Sequence, residues 1–175
     1  MNKHNTIFNL LVIDNFFENP YDVREFALYK KFTQLENIPG LRTKNMNSVI
    51  NYKNLLQSLI CKFYKIIEIK QTVFHIMRSC DIQRIHTDSQ NVDQTNICLS
   101  AIIYLNPDST IDSGTSFYNK NKITCEFEKI LDVGNIFNRI IIFDTAIYHT
   151  PNSCFGNDIY NSRLTLNFLI ECENI

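Results

Sequence analysis

The second half of the chain constrains the fold most strongly, because from Thr72 onward short apolar runs recur between polar clusters. The runs are rich in Ile, Phe, Tyr and Thr, residue types that favour β-strands, and clusters of Asn, Asp and Ser separate them at intervals typical of turns. They cover residues 73–77, 97–105, 115–118, 136–143, 147–150 and 164–170. This pattern predicts a strand-rich body, as in a β-sandwich or a double-sheet barrel.

Residues 1–71 have a different pattern, which predicts one strand and two helices. The apolar run 7–13 indicates a strand, and Asn19-Pro20 is a typical start for a helix. Apolar residues at helical spacing predict a second, longer helix over residues 52–69. A length of 175 residues suits one domain. We therefore predict a single domain in which residues 1–71 form the strand and supporting helices and residues 72–175 form the core.

Charge and composition restrict the partners and the compartment. The 17 basic and 18 acidic side chains nearly cancel, which disfavours duplex nucleic acid as a partner. No apolar run approaches the roughly 20 residues that cross a bilayer, and the N-terminus lacks a signal-peptide pattern. The six cysteines form no CxxC pair and mostly sit in apolar runs, which favours buried free thiols. We expect a cytoplasmic protein without a membrane partner, of unknown oligomeric state.

Two histidines and one aspartate form the candidate metal site. His86 and Asp88 are two positions apart, so in an extended segment both side chains point to the same face. His149 comes 63 residues later, between an apolar strand and Pro151. Two histidines and a carboxylate make the facial triad of non-haem Fe(II) oxygenases, which leaves coordination positions open for substrate and oxygen.

An arginine follows this candidate site at a strand start. Arg163 and Thr165 are two positions apart, so the guanidinium and the hydroxyl share one face of the strand beginning there. A planar, permanently charged fork suits the carboxylate of a dicarboxylic cosubstrate. Arg139 is the alternative for this role. His75, which alternates with apolar neighbours on a predicted strand, is expected to be structural.

These residues resemble the 2-oxoglutarate- and Fe(II)-dependent dioxygenases, most closely their prolyl-hydroxylase-like branch. The resemblance extends over about residues 82–169 and includes Tyr104-Leu105-Asn106 and the Gly114 turn. Two shorter segments, Val12-Ile13-Asp14-Asn15-Phe16 and Pro39-Gly40-Leu41-Arg42, are similar to the N-terminal parts of short members. The resemblance implies a mainly β fold, namely a double-stranded β-helix (jelly-roll) core with two N-terminal helices packed on one sheet.

The resemblance also implies site roles and a reaction. His86, Asp88 and His149 would bind Fe(II), and Arg163, Thr165 and Tyr104 would bind the cosubstrate 2-oxoglutarate. No catalytic residue is expected beyond the metal centre. The implied activity is that of an oxidoreductase that releases succinate and CO2 while it oxidises, most simply hydroxylates, a peptide, a protein side chain or a small molecule.

Two other functions stay open at this point. The jelly roll could be a non-enzymatic module that binds a ligand or partner in a degenerate pocket. The same three side chains could also hold zinc in a hydrolase, because three protein ligands suit a catalytic zinc site.

Overall fold

The computed structural model describes residues 10–88 and 97–175. Within these two ranges the chain forms two α-helices, ten strands and a short 3-10 turn at Ile111–Ser113. The helices and strands follow one another as β1 (Leu10–Ile13), α1 (Pro20–Leu28), β2 (Thr33–Gln34), β3 (Leu41–Arg42), α2 (Lys53–Ile60), β4 (Tyr64–Met77), β5 (Ile97–Tyr104), β6 (Thr115–Lys120), β7 (Phe127–Val133), β8 (Ile140–Asp144), β9 (Tyr148–Pro151) and β10 (Arg163–Asn174).

The strands form two antiparallel sheets. The larger sheet has the order β1-β8-β5-β10-β4-β3-β2, and the smaller has the order β7-β6-β9. Chain neighbours such as β4 and β5 are separated in the sheet by β10, which is the crossed order expected of a jelly roll. The predicted fold class, a mainly β jelly roll with two supporting helices, is confirmed.

Each face of the larger sheet has its own apolar partner because side chains alternate along a strand. One face packs on the helices in a cluster that joins Ala27 and Leu56 to Phe74 and Leu166. The opposite face meets the smaller sheet in a second cluster, made by Tyr104, Phe117, Val133, Ile141 and Phe143. The polar residues of the candidate site lie on this second face, between the sheets.

The prediction of a helix over residues 52–69 is wrong in its second half. Helix α2 ends at Ile60, and β4 begins at Tyr64. Ile66 is 3% exposed and Ile67 is 41% exposed, which is the alternation of a strand with one covered face. Pairing of β4 with β10, in which Ile66 lies opposite Cys172, gives this segment its hydrogen bonds.

The other sequence predictions mostly hold. Residues 10–13 form the N-terminal strand, while residues 7–9 lie outside the described range, and α1 starts at Pro20 as expected. The run 136–143 becomes a strand only from Ile140. Strands β2, β3 and β7 were not predicted. Neither helix of the described ranges is long and apolar enough to cross a membrane.

Burial of the cysteines was predicted only in part. Cys98 and Cys172 are buried, as their apolar neighbours suggest. Cys61, Cys80 and Cys125 are exposed, so the expectation of burial is wrong for these three. None of these three lies on a strand or helix: Cys61 follows α2, Cys80 follows β4, and Cys125 lies between β6 and β7, so all three are in surface connections.

Candidate metal centre

Two histidines of the candidate site are fixed to each other by their main chains. His149 lies on β9, and His86 forms an isolated antiparallel bridge with it. The amide of His86 donates to the carbonyl of His149 at 3.1 Å, and the amide of His149 donates to the carbonyl of His86 at 2.9 Å. The two imidazole rings consequently lie side by side, with centroids 4.4 Å apart.

Hydrogen bonds select the same tautomer in both rings. Nδ1 of His86 lies 2.9 Å from the carbonyl oxygen of Arg84, and Nδ1 of His149 lies 3.0 Å from that of Ile147. A carbonyl oxygen only accepts, so each Nδ1 carries the proton and donates it. Each Nε2 is then left with a free lone pair, the arrangement found in metal-binding histidines.

Asp88 completes the cluster from the same segment as His86. Its Oδ1 lies 3.7 Å from Nε2 of His86, and its Oδ2 lies 3.6 Å from Nε2 of His149. The potential ligand atoms of these three residues all lie within 4.8 Å of one another. The amide of Asp88 donates to the carbonyl of Thr145 at 2.9 Å, and the Ser100 hydroxyl donates to its Oδ2 at 2.5 Å. Backbone and side chain therefore orient the carboxylate toward the two histidines.

Burial keeps one of the histidines neutral. His149 is 4% exposed, and burial lowers its pKa below the ordinary value, against an opposing effect of the Asp88 carboxylate. A neutral imidazole is the form that binds metal ions. His86 is by contrast exposed, so the cluster has one buried side and one open side.

The cluster opens into a cavity between the two sheets. The cavity measures about 420 Å³ and is lined by all three residues of the cluster together with Arg163, Thr165 and Thr115. Arg42 of β3 and His75 of β4 also line it. The predicted metal-binding and cosubstrate-binding side chains, except Tyr104, thus line one continuous space.

Arg163 is a buried cation at the end of this cavity. The residue is 3% exposed, and its Nε and Nη2 donate to the carbonyls of Ser113 and Gly114 at 2.8 and 3.2 Å. Within residues 10–88 and 97–175, no carboxylate oxygen lies within 4.0 Å of its guanidinium. Burial lowers its pKa, yet an arginine stays charged in proteins. An uncompensated buried charge is costly, which points to an anion bound here.

Thr165 adds an unsatisfied hydroxyl to the same wall. It is 1% exposed, and its Oγ1 is buried without a hydrogen-bond partner in the described residues. A buried hydroxyl without a partner is unusual in native proteins. Its position two residues after Arg163, on the same face of β10, makes both groups available to one ligand.

Tyr104 and Arg139 lie outside the cavity lining. Tyr104 is fully buried, its hydroxyl pairs with Thr115 Oγ1 at 2.8 Å, and its ring centroid is 5.5 Å from the Arg163 guanidinium. Arg139 instead makes a two-pronged ion pair with Asp14 at 2.6 and 3.0 Å. Its guanidinium is thereby engaged away from the candidate site. Of the two arginines considered for the cosubstrate, only Arg163 lines the cavity.

Two residues of the cavity escaped the sequence analysis. Ser100 donates a hydrogen bond to Asp88. The only feature of the sequence that could have indicated Ser100 is that it is a small polar residue within an apolar strand run. Arg42 lies on β3 and was noted only as part of Pro39-Gly40-Leu41-Arg42. His75, expected to be structural, is 8% exposed and donates from Nε2 to the carbonyl of Pro39 at 2.8 Å, and it also lines the cavity.

Comparison with known proteins gives matches by structure. No protein-family model matches the chain, and no curated protein matches it by sequence. HygX from Streptomyces hygroscopicus, solved with nickel and 2-oxoglutarate bound, is similar with a TM-score of 0.70 and 12% identity over 94% of this chain and 83% of that one. An oxidoreductase of the 2OG-Fe(II) oxygenase family from Burkholderia pseudomallei gives 0.64 and 10%, over 93% and 84%.

A third similar structure contains a peptide. It is a prolyl hydroxylase from Trichoplax adhaerens in complex with a peptide fragment of hypoxia inducible factor, with a TM-score of 0.61 and 13% identity over 94% of this chain and 84% of that one. At these identities the similarity concerns the fold. The chain has the double-stranded β-helix fold of 2-oxoglutarate- and Fe(II)-dependent oxygenases, and the resemblance found in the sequence is confirmed at this level.

Proposed function

We propose that this protein is a 2-oxoglutarate- and Fe(II)-dependent oxygenase. The observation that carries the proposal is the pairing of two groups in one cavity. One is a His-Asp-His cluster whose free imidazole nitrogens face a carboxylate, and the other is a buried arginine without a carboxylate partner in the described residues. The first suits a divalent metal, and the second suits the far end of a dicarboxylate.

The donor set of the cluster fits Fe(II). His86 and His149 would each supply Nε2, and Asp88 would supply one carboxylate oxygen. Two imidazoles and a carboxylate with open positions are the donor set of non-haem Fe(II) oxygenases. The bonds from Nδ1 to the carbonyls of Arg84 and Ile147 fix the ring orientations before any metal binds.

Arg163 and Thr165 would bind 2-oxoglutarate. The guanidinium is anchored through Nε and Nη2 to two main-chain carbonyls, so its position is fixed without a ligand. The carboxylate remote from the metal would neutralise this charge, and the orphaned Thr165 hydroxyl would donate to it. Tyr104 would act indirectly, through Thr115: its hydroxyl forms a hydrogen bond with Thr115, and Thr115 lines the cavity.

Fe(II), when bound, supplies the activation of oxygen that couples decarboxylation of 2-oxoglutarate to succinate and CO2 with oxidation of a second substrate. The chain's own residues bind and orient. His149 is buried and neutral, and Ser100 holds the Asp88 carboxylate. Hydroxylation of a peptide, a protein side chain or a small molecule is the simplest outcome, and the peptide-bound structural neighbour supports substrates of this general kind.

The intact cluster favours an oxygenase over a binding module with a degenerate pocket. The buried arginine also favours it over a zinc hydrolase, because hydrolysis needs no dicarboxylic cosubstrate. The test is anaerobic addition of Fe(II) and 2-oxoglutarate to metal-free protein, followed by admission of oxygen. We expect a visible charge-transfer band and then succinate. Absence of the band, or equal turnover without oxygen, would reject the oxygenase.

A further inference from the structure

The cavity contains a second arginine, Arg42, which the proposed function does not use. On β3 Arg42 lies opposite His75 of β4, and His75 lies opposite Thr165 of β10. Residues directly opposite one another on neighbouring strands share a face of the sheet. Arg42, His75 and Thr165 therefore form one row across three strands, and all three line the cavity.

The turn before β3 fixes the position of this arginine. Gly40 has a φ of +75°, and a Cβ there would lie 2.2 Å from the carbonyl oxygen of Ile76 and 2.9 Å from Nε2 of His75. Only glycine accommodates both the backbone conformation and the contact. The Pro39 carbonyl accepts the hydrogen bond from Nε2 of His75 at 2.8 Å. The turn is thus seated closely against β4, and Arg42 follows it by two residues.

Arg42 has no counterion in the described parts of the chain. Its Nε is buried without a hydrogen-bond partner, and no carboxylate oxygen of residues 10–88 and 97–175 lies within 4.0 Å of its guanidinium. Burial lowers its pKa, and Asp88 acts on it only at longer range in the opposite direction. A partly buried, unpaired guanidinium beside a cavity indicates an anionic ligand.

The charges of the cavity lining leave room for such an anion. The described lining residues include three arginines, Arg42, Arg84 and Arg163, and a single carboxylate, Asp88. A divalent metal and the 2-oxoglutarate dianion would cancel each other, so the lining would still be positive after both had bound. Burial lowers the pKa of His75 to about 3, which leaves this neighbour neutral.

One cosubstrate does not account for both Arg163 and Arg42. Strands β10 and β3 are separated by β4, and Arg163 is offset from Arg42 by two residues along the strands, so the backbones of Arg163 and Arg42 are about 12 Å apart. With one carboxylate of 2-oxoglutarate at the metal and the other at Arg163, Arg42 remains free for a different ligand.

We propose that Arg42 binds the carboxylate of the primary substrate, which is a carboxylic acid of about the size of an amino acid. This rests on the proposed function. A carboxylate has two oxygens that match one edge of a guanidinium, and a cavity of about 420 Å³ shared with the cosubstrate suits a small molecule. Arg42 thereby selects substrates with a free acid group and directs the rest of the molecule toward the metal.

The test uses protein loaded with Zn(II) and N-oxalylglycine, a stable analogue of 2-oxoglutarate, so that no turnover is needed. Binding of N-acetyl amino acids and of the corresponding carboxamides is measured by ligand-observed NMR. The wild type is expected to bind free acids and not carboxamides. Arg42→Gln should weaken binding of the acids about tenfold or more, because a charge-assisted hydrogen bond is lost. Arg42→Lys keeps the charge but loses the planar guanidinium, so it should also weaken binding of the acids.

Arg84→Gln is the matched control, because Arg84 lines the same cavity but is exposed. We expect an effect below about threefold there. Equal binding of acids and carboxamides by the wild type, binding of neither, or equal losses in the Arg42 and Arg84 variants would overturn the proposal.

Affinity for 2-oxoglutarate, measured on the same proteins, separates this proposal from the proposed function. Arg42→Gln should bind the cosubstrate as the wild type does, while Arg163→Gln should not. If Arg42→Gln loses 2-oxoglutarate as severely as Arg163→Gln, Arg42 belongs to the cosubstrate site and the substrate role is wrong, although the oxygenase stands. If the wild type binds neither metal nor 2-oxoglutarate, the proposed function itself fails.

Discussion

His86 and His149 exchange two main-chain hydrogen bonds, so the backbone sets the spacing between their imidazoles. Asp88 follows His86 by two residues and is held by the Thr145 carbonyl and the Ser100 hydroxyl. Side chains from two distant segments of the sequence are thereby held together by contacts within the protein. Preorganisation of this kind lowers the cost of ordering ligands on binding.

Loss of either histidine of the cluster should abolish tight metal binding. His86→Ala and His149→Ala each remove one of the three proposed ligands. We therefore expect the affinity for Co(II) to fall at least about 100-fold, more than the loss of a residue that only hydrogen-bonds to a ligand would cause. Isothermal titration calorimetry measures it. His75→Gln is the control, since His75 lies in the same cavity but outside the cluster. Equal affinity in all three variants would contradict the assignment.

Ser100 should contribute to metal affinity without touching the metal. Its hydroxyl donates to Asp88 Oδ2 and so orients the carboxylate. Ser100→Ala should lower Co(II) affinity about 10-fold, as removal of outer-shell partners does, with little change in unfolding free energy. Ser58→Ala, at an exposed hydroxyl of α2, is the matched control. A Ser100→Ala variant with unchanged metal affinity would show that the bond does not position Asp88.

Arg163 should have both a ligand-binding and a structural role. Its hydrogen bonds to the carbonyls of Ser113 and Gly114 involve a charged donor, so Arg163→Gln should lower the unfolding free energy by about 3 kcal/mol as well as abolish 2-oxoglutarate binding. Arg163→Lys, which keeps the charge, separates the two effects and should retain more stability than affinity. Urea unfolding and equilibrium dialysis provide the two readouts. Wild-type affinity in Arg163→Lys would argue against recognition by the guanidinium fork.

His75 should make stability depend on pH. Burial, and secondarily Arg42, lowers its pKa from 6.5 to about 3. Between these values the unfolded chain binds a proton that the folded chain does not, so its contribution to stability is lost as pH falls below about 6.5. Compared with His75→Gln, the wild type should lose unfolding free energy as the pH falls, with a slope that rises to about 1.4 kcal/mol per pH unit below about pH 6. Urea titrations at pH 7, 6 and 5 test this, and parallel pH profiles would contradict it.

Local pattern predicted most of the core strands because their apolar runs alternate with polar turns. It was misleading for the first half of β4, where the apolar spacing around Ile66 and Ile67 also fits a helix. What decides the outcome is pairing with β10, which places Ile66 opposite Cys172, more than 100 residues later. Strand β7 was missed because six of its seven residues are exposed and several are charged, so no apolar run marks it.

The sequence could predict those parts of the candidate site that depend on residues close together in the chain. The two-residue interval between His86 and Asp88 is visible in the sequence. So is the position of His149 between an apolar run and Pro151. Ser100 and Arg42 were not found, because their relation to the site depends on strand register. Arg42 reaches the cavity only because β3 pairs with β4 in the register that places it opposite His75.

The most direct measurement is a crystal structure of the protein with Mn(II) and 2-oxoglutarate bound. We expect the metal on Nε2 of His86, Nε2 of His149 and a carboxylate oxygen of Asp88. We expect the far carboxylate of 2-oxoglutarate on the Arg163 guanidinium and Thr165 Oγ1. Metal bound at other residues, or 2-oxoglutarate absent from the cavity at saturating concentration, would contradict these assignments.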